Sequence, residues 1–251
     1  MNRFTTEAIV LKNINYSDSH KIYTLLTPTY GKIGAIARGV RKISSKRAGN
    51  LDSMSLVSLQ LVEGKNELKT ITEAKSLNSF PNIKKNYEAL TCGIYLCEVA
   101  ENLVPENAVT SEVSELYKWL KSGLLSLEKS QNNLELKKML LELNLLKIMG
   151  IPFETDVCLQ CKRAIGVGWD LAYFDAALGG ILCPNCATHG LKVTVGSVLL
   201  INSLKAGDKG ALLAIFDKHT FSSAVNILDE YMLLTVKNYG RRARIISSGL
   251  A

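Results

Sequence analysis

The chain has 251 residues, 47% of them hydrophobic and 21% charged, which is ordinary for a globular protein with room for two or three folded units. No apolar run reaches the roughly 18 residues of a membrane-spanning helix. Glu7 and Lys12 interrupt any leader-like stretch, so the sequence points to the cytoplasm and to no membrane partner. The formal charge of +7 is confined to the first fifth of the chain: residues 1–50 hold nine Lys or Arg against two acids, and the other 201 residues balance at 21 of each. A charge run is ordinarily a solvated face, but an excess confined to one module points to a polyanionic partner. No basic amphipathic helix with exposed Trp or Phe accompanies it, which favours nucleic acid over membrane.

Residues 1–75 read as five short strands, TEAIVLK, HKIYTLLT, GKIGAIAR, SLVSLQLVE and ELKTITEA, separated by TPTYG, GN and EGKN. Five strands of this size suit a small barrel, because closure removes the edges an open sheet would expose. An OB-fold is the first choice and an SH3-like barrel the second, since periodicity accommodates both.

Residues 36–49, IARGVRKISSKRAG, carry five cations and no anion. Arg38, Arg41, Lys42, Lys46 and Arg47 are the candidate phosphate contacts, with Lys21 and Lys32 as flankers. Gly39 allows a close approach of backbone to phosphate. Phe4, Tyr16, Tyr23 and Tyr30 suit the barrel core as well as they suit base stacking, so none is singled out.

After Pro81 the spacing turns helical. Tyr87, Leu90, Ile94 and Cys97 form one stripe, and Val113, Leu116, Tyr117, Leu120 and Leu124 another, with Thr110 or Ser111 as its cap. Residues 134–149 are apolar nearly all round, which predicts a buried helix, and Gly150-Ile151-Pro152 stops it. A last helix is expected over 220–239, closed by Gly240. Lys237, Arg241, Arg242 and Arg244 make a second basic cluster, either phosphate contacts or favourable charges at a helix C-terminus. The fold class is therefore α+β: a small basic barrel at 1–80, then a helical domain at 81–251 interrupted at 153–190.

That interruption holds Cys158-Leu-Gln-Cys161, then 21 residues, then Cys183-Pro-Asn-Cys186. Two CxxC turns bring four thiolates to one point, the donor set of a structural Zn²⁺. GWDLAYFDAALGG between them reads as a strand and a turn at Gly179-Gly180, returning through Ile181-Leu182 as a zinc-ribbon hairpin. Disulfides are disfavoured in a cytosolic chain, and a redox CxxC needs a βαβ setting. Catalytic zinc needs an open position, which four sulfurs do not leave. His189 reads as a surface residue, and Cys92 and Cys97 as core thiols.

These residues resemble the RecO family. The carriers are EAIVLKNINYSDSHKIYTLLTPTYGKIGAIARGVRK at the start, the CLQC…YFDAALGGILCPNC hairpin and the closing LDEYMLLTVKNYGRRARIISS. The resemblance implies an N-terminal OB-fold, a helical domain with an inserted zinc hairpin, and no enzymatic turnover. It implies binding of single- and double-stranded DNA, strand annealing, and action with RecR to load RecA onto DNA coated by the single-strand-binding protein. Some relatives lack the cysteines, so the metal is expected to be scaffold. A second reading is a zinc-stabilised adaptor whose barrel docks an acidic protein. An enzyme is disfavoured by the lack of a GxxxxGK[ST] loop, a HExxH helix or a convergent carboxylate pair.

Overall fold

Alternating apolar residues at the N-terminus form β1 (Arg3–Asn15), β2 (Lys21–Thr27), β3 (Gly31–Ala37), β4 (Leu56–Val62) and β5 (Lys69–Asn78), each where the alternation places it. The computed structural model describes residues 2–41, 48–63, 68–166, 168–207 and 217–236. The chain divides into two compact units, Met1–Leu134 and Glu135–Ala251.

In the first unit the strands close in the order β1-β2-β3-β5-β4. β1 is long enough to pair with β4 at its start and with β2 towards its end. A bulge between Val10 and Lys12 gives it the bend this requires. Closure is completed by a short parallel pairing, Ala35 with Lys69 and Ile36 with Thr70. Inward-facing Val10, Tyr23, Leu25, Ile33, Leu59 and Ile71 fill the interior.

Three helices complete this unit: α1 (Pro81–Lys85), α2 (Tyr87–Leu103) and α3 (Ser111–Lys129). Thr110 caps α3 by accepting from the Val113 amide, and the expected Val113, Leu116, Tyr117, Leu120 and Leu124 face is buried. The stripe read on α2 is corrected in part: Cys97 is buried and Leu90 and Ile94 are half-buried, but Tyr87 is 69% exposed, and the buried face is centred on Ala89, Cys92, Leu96 and Ala100. Small residues at 89, 92, 93 and 100 let neighbouring elements approach closely, and hydrophobicity alone did not reveal that. Cys92 and Cys97 are buried and in no disulfide, and burial pushes the Cys97 thiol up to about 12.

Glu7 on β1 ties the barrel to α3. It accepts from the Tyr117 hydroxyl and pairs with Lys121 Nζ at 2.7 Å. Burial raises its carboxyl, but the Lys121 and Tyr117 hydrogen bonds and the Lys121 charge outweigh this and hold it below the ordinary 4.5. A depressed carboxylate stabilises the fold above its ordinary pKa and loses that contribution as pH falls through the lowered value. Thermal melts should therefore show Glu7→Gln below wild type at neutral pH, with the gap closing as pH drops below about 4.5.

Gly31 opens β3 at φ +65°, and a Cβ there would lie 1.9 Å from the Ala108 carbonyl oxygen. The segment after α2 runs this close because the Asn107 amide donates to the Lys32 carbonyl at 2.9 Å and Glu106 bridges to Lys32.

The second unit takes in α4 (Leu134–Ile148), β6 (Leu171–Asp175), β7 (Gly180–Leu182), β8 (Leu191–Thr194), α5 (Val195–Ala206) and α6 (Lys218–Thr235). α4 buries Leu134, Leu136, Met139, Leu145 and Leu146 and leaves Leu140, Leu141, Leu143 and Ile148 half-buried, so the expected burial holds for one side of the helix, and it buries charge too. Lys138 pairs with Glu142 at 3.4 Å and with Asp229 of α6. Burial works against the Lys138 charge, but the two carboxylates outweigh it and hold its pKa above the ordinary value. α6 departs from expectation. It is capped by Asp217 and ends at Thr235 with Val236 extended; residues 237–239 and Gly240, the expected closing residue, lie outside the described residues.

Candidate metal centre and basic surface

The CxxC pairs meet at β7, an edge strand of a small antiparallel sheet of order β7-β6-β8, the second pair following that strand directly. The turn and return through Ile181-Leu182 form as expected, while β8 had no alternation to announce it at four residues. The first knuckle is pinned to β7: the Leu159 amide donates to the Ile181 carbonyl at 2.8 Å, and the Ile181 amide donates to that of Glu154 at 3.0 Å. The Cys158, Cys161, Cys183 and Cys186 sulfurs all lie within 4.8 Å of one another. Cys161 Sγ and Cys183 Sγ are 3.8 Å apart, and all four thiols are free. A disulfide needs about 2.05 Å. A tetrahedron with Zn–S of about 2.3 Å has sulfur–sulfur edges of about 3.8 Å, so the donor set fits a metal of that size.

Two of the thiols are shifted in opposite directions by their neighbours. Burial pushes Cys158 up, but N–H donors from Cys161, Cys183 and Gln160 together bring it down to about 6. The Cys183 amide is one of these, 3.3 Å from the sulfur. Hydrogen bonding to Cys183, then burial, pushes Cys186 up to about 12. His189 stands apart from the four sulfurs, as expected: its Nε2 lies 2.8 Å from Asp175 Oδ2.

The sheet is held against α6 by aromatic packing. Phe153 stacks on Tyr231 at 5.1 Å, and Phe174 of β6 meets both rings edge-on at 5.7 Å. Gly179 at the hairpin turn has φ +69°, and a Cβ there would lie 2.6 Å from Tyr231 Oη and 2.7 Å from the Pro152 carbonyl oxygen. Gly179→Val should therefore destabilise this unit by about 2–5 kcal/mol, from left-handed strain and overpacking together, read by denaturant melts.

The basic surface is built where β3 leaves the barrel. Three hydrogen bonds dock residues 38–41 onto the β1–β2 hairpin loop. The Gly39 amide donates to His20 Nδ1 at 3.0 Å, the Arg41 amide to the Ser19 carbonyl at 3.1 Å, and Arg41 Nη1 to the Ser17 carbonyl at 2.7 Å. Arg38 and Arg41 are exposed on this turn, with Val40 buried between them. Lys21, half-buried beside it, donates to Asn13 Oδ1 at 3.1 Å. Lys32 is withdrawn from the candidate set: it is 8% exposed, donates to the Glu101 carbonyl at 2.8 Å and pairs with Glu106 at 3.2 Å. Lys42, Lys46, Arg47, Lys237, Arg241, Arg242 and Arg244 lie outside the described residues. No helix among the described residues is long and apolar enough to cross a membrane.

Comparison with known proteins gives the class first. A family model described as "Recombination protein O N terminal" matches residues 1–80, and one described as "Recombination protein O C terminal" matches residues 84–244. The chain is a protein of DNA repair and recombination. Three relatives named "DNA repair protein RecO" narrow the class. That of Dehalococcoides mccartyi is 30% identical over 96% of this chain and 89% of its own length. That of Geobacter sulfurreducens is 29% identical over 91% of each. That of Moorella thermoacetica is 30% identical over 74% of this chain and 67% of its own. The chain belongs to the RecO family.

Proposed function

We propose that the chain is a non-catalytic DNA-binding and strand-annealing protein of recombinational repair. In this reading residues 1–80 are an OB-fold that binds DNA, and residues 81–251 are a helical domain with the metal hairpin inserted at 153–190. The observation that carries it is the basic turn at 38–41, docked by three hydrogen bonds at the exit of a barrel whose first 50 residues hold a net charge equal to that of the whole chain. The strand order β1-β2-β3-β5-β4 with a parallel β3–β5 contact supports the OB assignment over an SH3-like one.

Arg38, Arg41, Lys42, Lys46 and Arg47, with Lys21 as a flanker, neutralise phosphates without reading sequence. Neutralised strands repel one another less, so two complementary strands held on one surface can pair. Kinship with RecO proteins supports action with RecR in loading RecA onto DNA coated by the single-strand-binding protein, in the cytoplasm at the nucleoid. Lys237, Arg241, Arg242 and Arg244 are a second phosphate-binding cluster.

Cys158, Cys161, Cys183 and Cys186 would hold Zn²⁺, which when bound cross-links the two knuckles. Four sulfurs fill a tetrahedron and leave no position for a substrate, so the metal is scaffold and no turnover is expected. The test is annealing of complementary strands, with and without the single-strand-binding protein. Wild type should anneal, and the variant with Arg38, Arg41, Lys42, Lys46 and Arg47 all changed to Ala should not, with metal content and helical signal intact. A variant that binds and anneals DNA normally but loses a protein partner would favour the adaptor reading.

A further inference from the structure

We propose that Tyr16, at the tip of the β1–β2 hairpin, is a base-stacking platform that makes this surface select single-stranded over double-stranded DNA. The inference rests on the nucleic-acid reading of the barrel and deepens it. The aromatic residues of the N-terminal module, equivalent in the sequence, are sorted by the fold. Tyr23 is buried in the barrel core, and Phe4 and Tyr30 are packed on each other at 4.3 Å. Tyr16 is 58% exposed.

Its surroundings point to one kind of occupant. The Tyr16 amide donates to the His20 carbonyl at 3.1 Å, closing the loop, and the next residue, Ser17, holds the Arg41 guanidinium through its carbonyl. The ring is therefore carried on the same docked assembly as Arg38 and Arg41. Ile14, two residues earlier, is 54% exposed. It pairs across the sheet with Ile22, and Ile22 pairs with Ile36. Tyr23, Ala35 and Ala37 point into the core, so alternation turns this isoleucine row outward. An exposed aromatic ring and an apolar row beside the clamped Arg41 guanidinium and the exposed Arg38 match the two faces of a single strand, its bases and its phosphates. A duplex keeps its bases stacked inward and offers this surface phosphate alone.

The full-length protein tests this by fluorescence anisotropy with an oligo(dT) strand, an abasic strand of equal length and a duplex of equal length. Tyr16→Ala should weaken oligo(dT) binding about 10- to 100-fold, the range of one lost base–aromatic stack, with an unchanged salt slope. Binding to the abasic strand and the duplex should not change, and Tyr16→Phe should bind oligo(dT) as wild type does. Trp119 and Trp169 are buried. Quenching of the Tyr16→Trp variant by oligo(dT), but not by the abasic strand, is therefore expected as a direct signal. Equal losses on all three nucleic acids, or no loss on oligo(dT), would overturn the stacking role and leave the phosphate-binding function standing. So would loss of a protein partner with oligo(dT) affinity intact. If wild type bound none of the three, the DNA-binding reading would fall along with this one.

Discussion

Changing Cys183 to Ser, or stripping the protein with a chelator, is expected to unfold the hairpin at 153–190 and leave the barrel intact. Zinc binding in isolated finger peptides is worth about 10–16 kcal/mol. A whole domain is stable by only about 5–15 kcal/mol, so the hairpin cannot lose that contribution and keep its shape. Its sheet is three short strands, and two of the thiols are buried. Without metal it keeps the packing of Phe153 and Phe174 on Tyr231 of α6 and the bonds of Thr155 and Asp156 to Asn202 and Lys205 of α5. Metal analysis should find one zinc per chain. On its removal, amide exchange should accelerate at Leu159, Ile181 and Cys183, whose N–H groups are bonded within the knuckle framework. Val57 and Leu59 in the barrel should stay protected. Cys92→Ser, a buried thiol on α2, is the control, costing stability without releasing metal. Unchanged protection at Ile181 in metal-free protein would remove the scaffold role.

The second large effect concerns salt. Five phosphate contacts on a single strand give a log–log slope of about −3.5, so a fourfold rise in salt should weaken binding about a hundredfold. The variant with Arg38, Arg41, Lys42, Lys46 and Arg47 all changed to Ala should show a nearly flat slope and weak binding throughout. Lys32→Ala provides the contrast. Its ammonium is consumed by Glu101 and Glu106 inside the first unit, so the change should lower stability and leave the slope as it was. A Lys32→Ala variant with a shallower slope would return that residue to the DNA surface. A flat slope in wild type would end the role given to residues 36–49.

These contrasts show where the sequence was legible. The strands could be read because their inward and outward residues alternate along most of their length, as in VSLQLV. The metal site could be read because each CxxC is a local turn and only one contact, between the pairs, had to be supplied by folding. The α3 face could be read from its 3.6-residue period and its Thr110 cap.

What the sequence by itself determined was local: element type, ligand identity and the uneven charge. What only the tertiary structure decided was which groups face solvent, because that depends on chain remote in sequence. Lys32 looks like Lys21 in composition, yet the segment at 105–108 covers one and leaves the other at the rim. Tyr16, Tyr23 and Tyr30 are one residue type in one module, and barrel closure sends one inward, stacks another on Phe4 and leaves the third in water. Lys138 sits in an apolar helix, and its carboxylate on α6 lies 91 residues away. The basic stretch was conspicuous as charge, but its grip on the β1–β2 loop through His20, Ser19 and Ser17 emerged only from the fold. Burial and pairing are properties of three-dimensional neighbours, and a linear pattern records only neighbours along the chain.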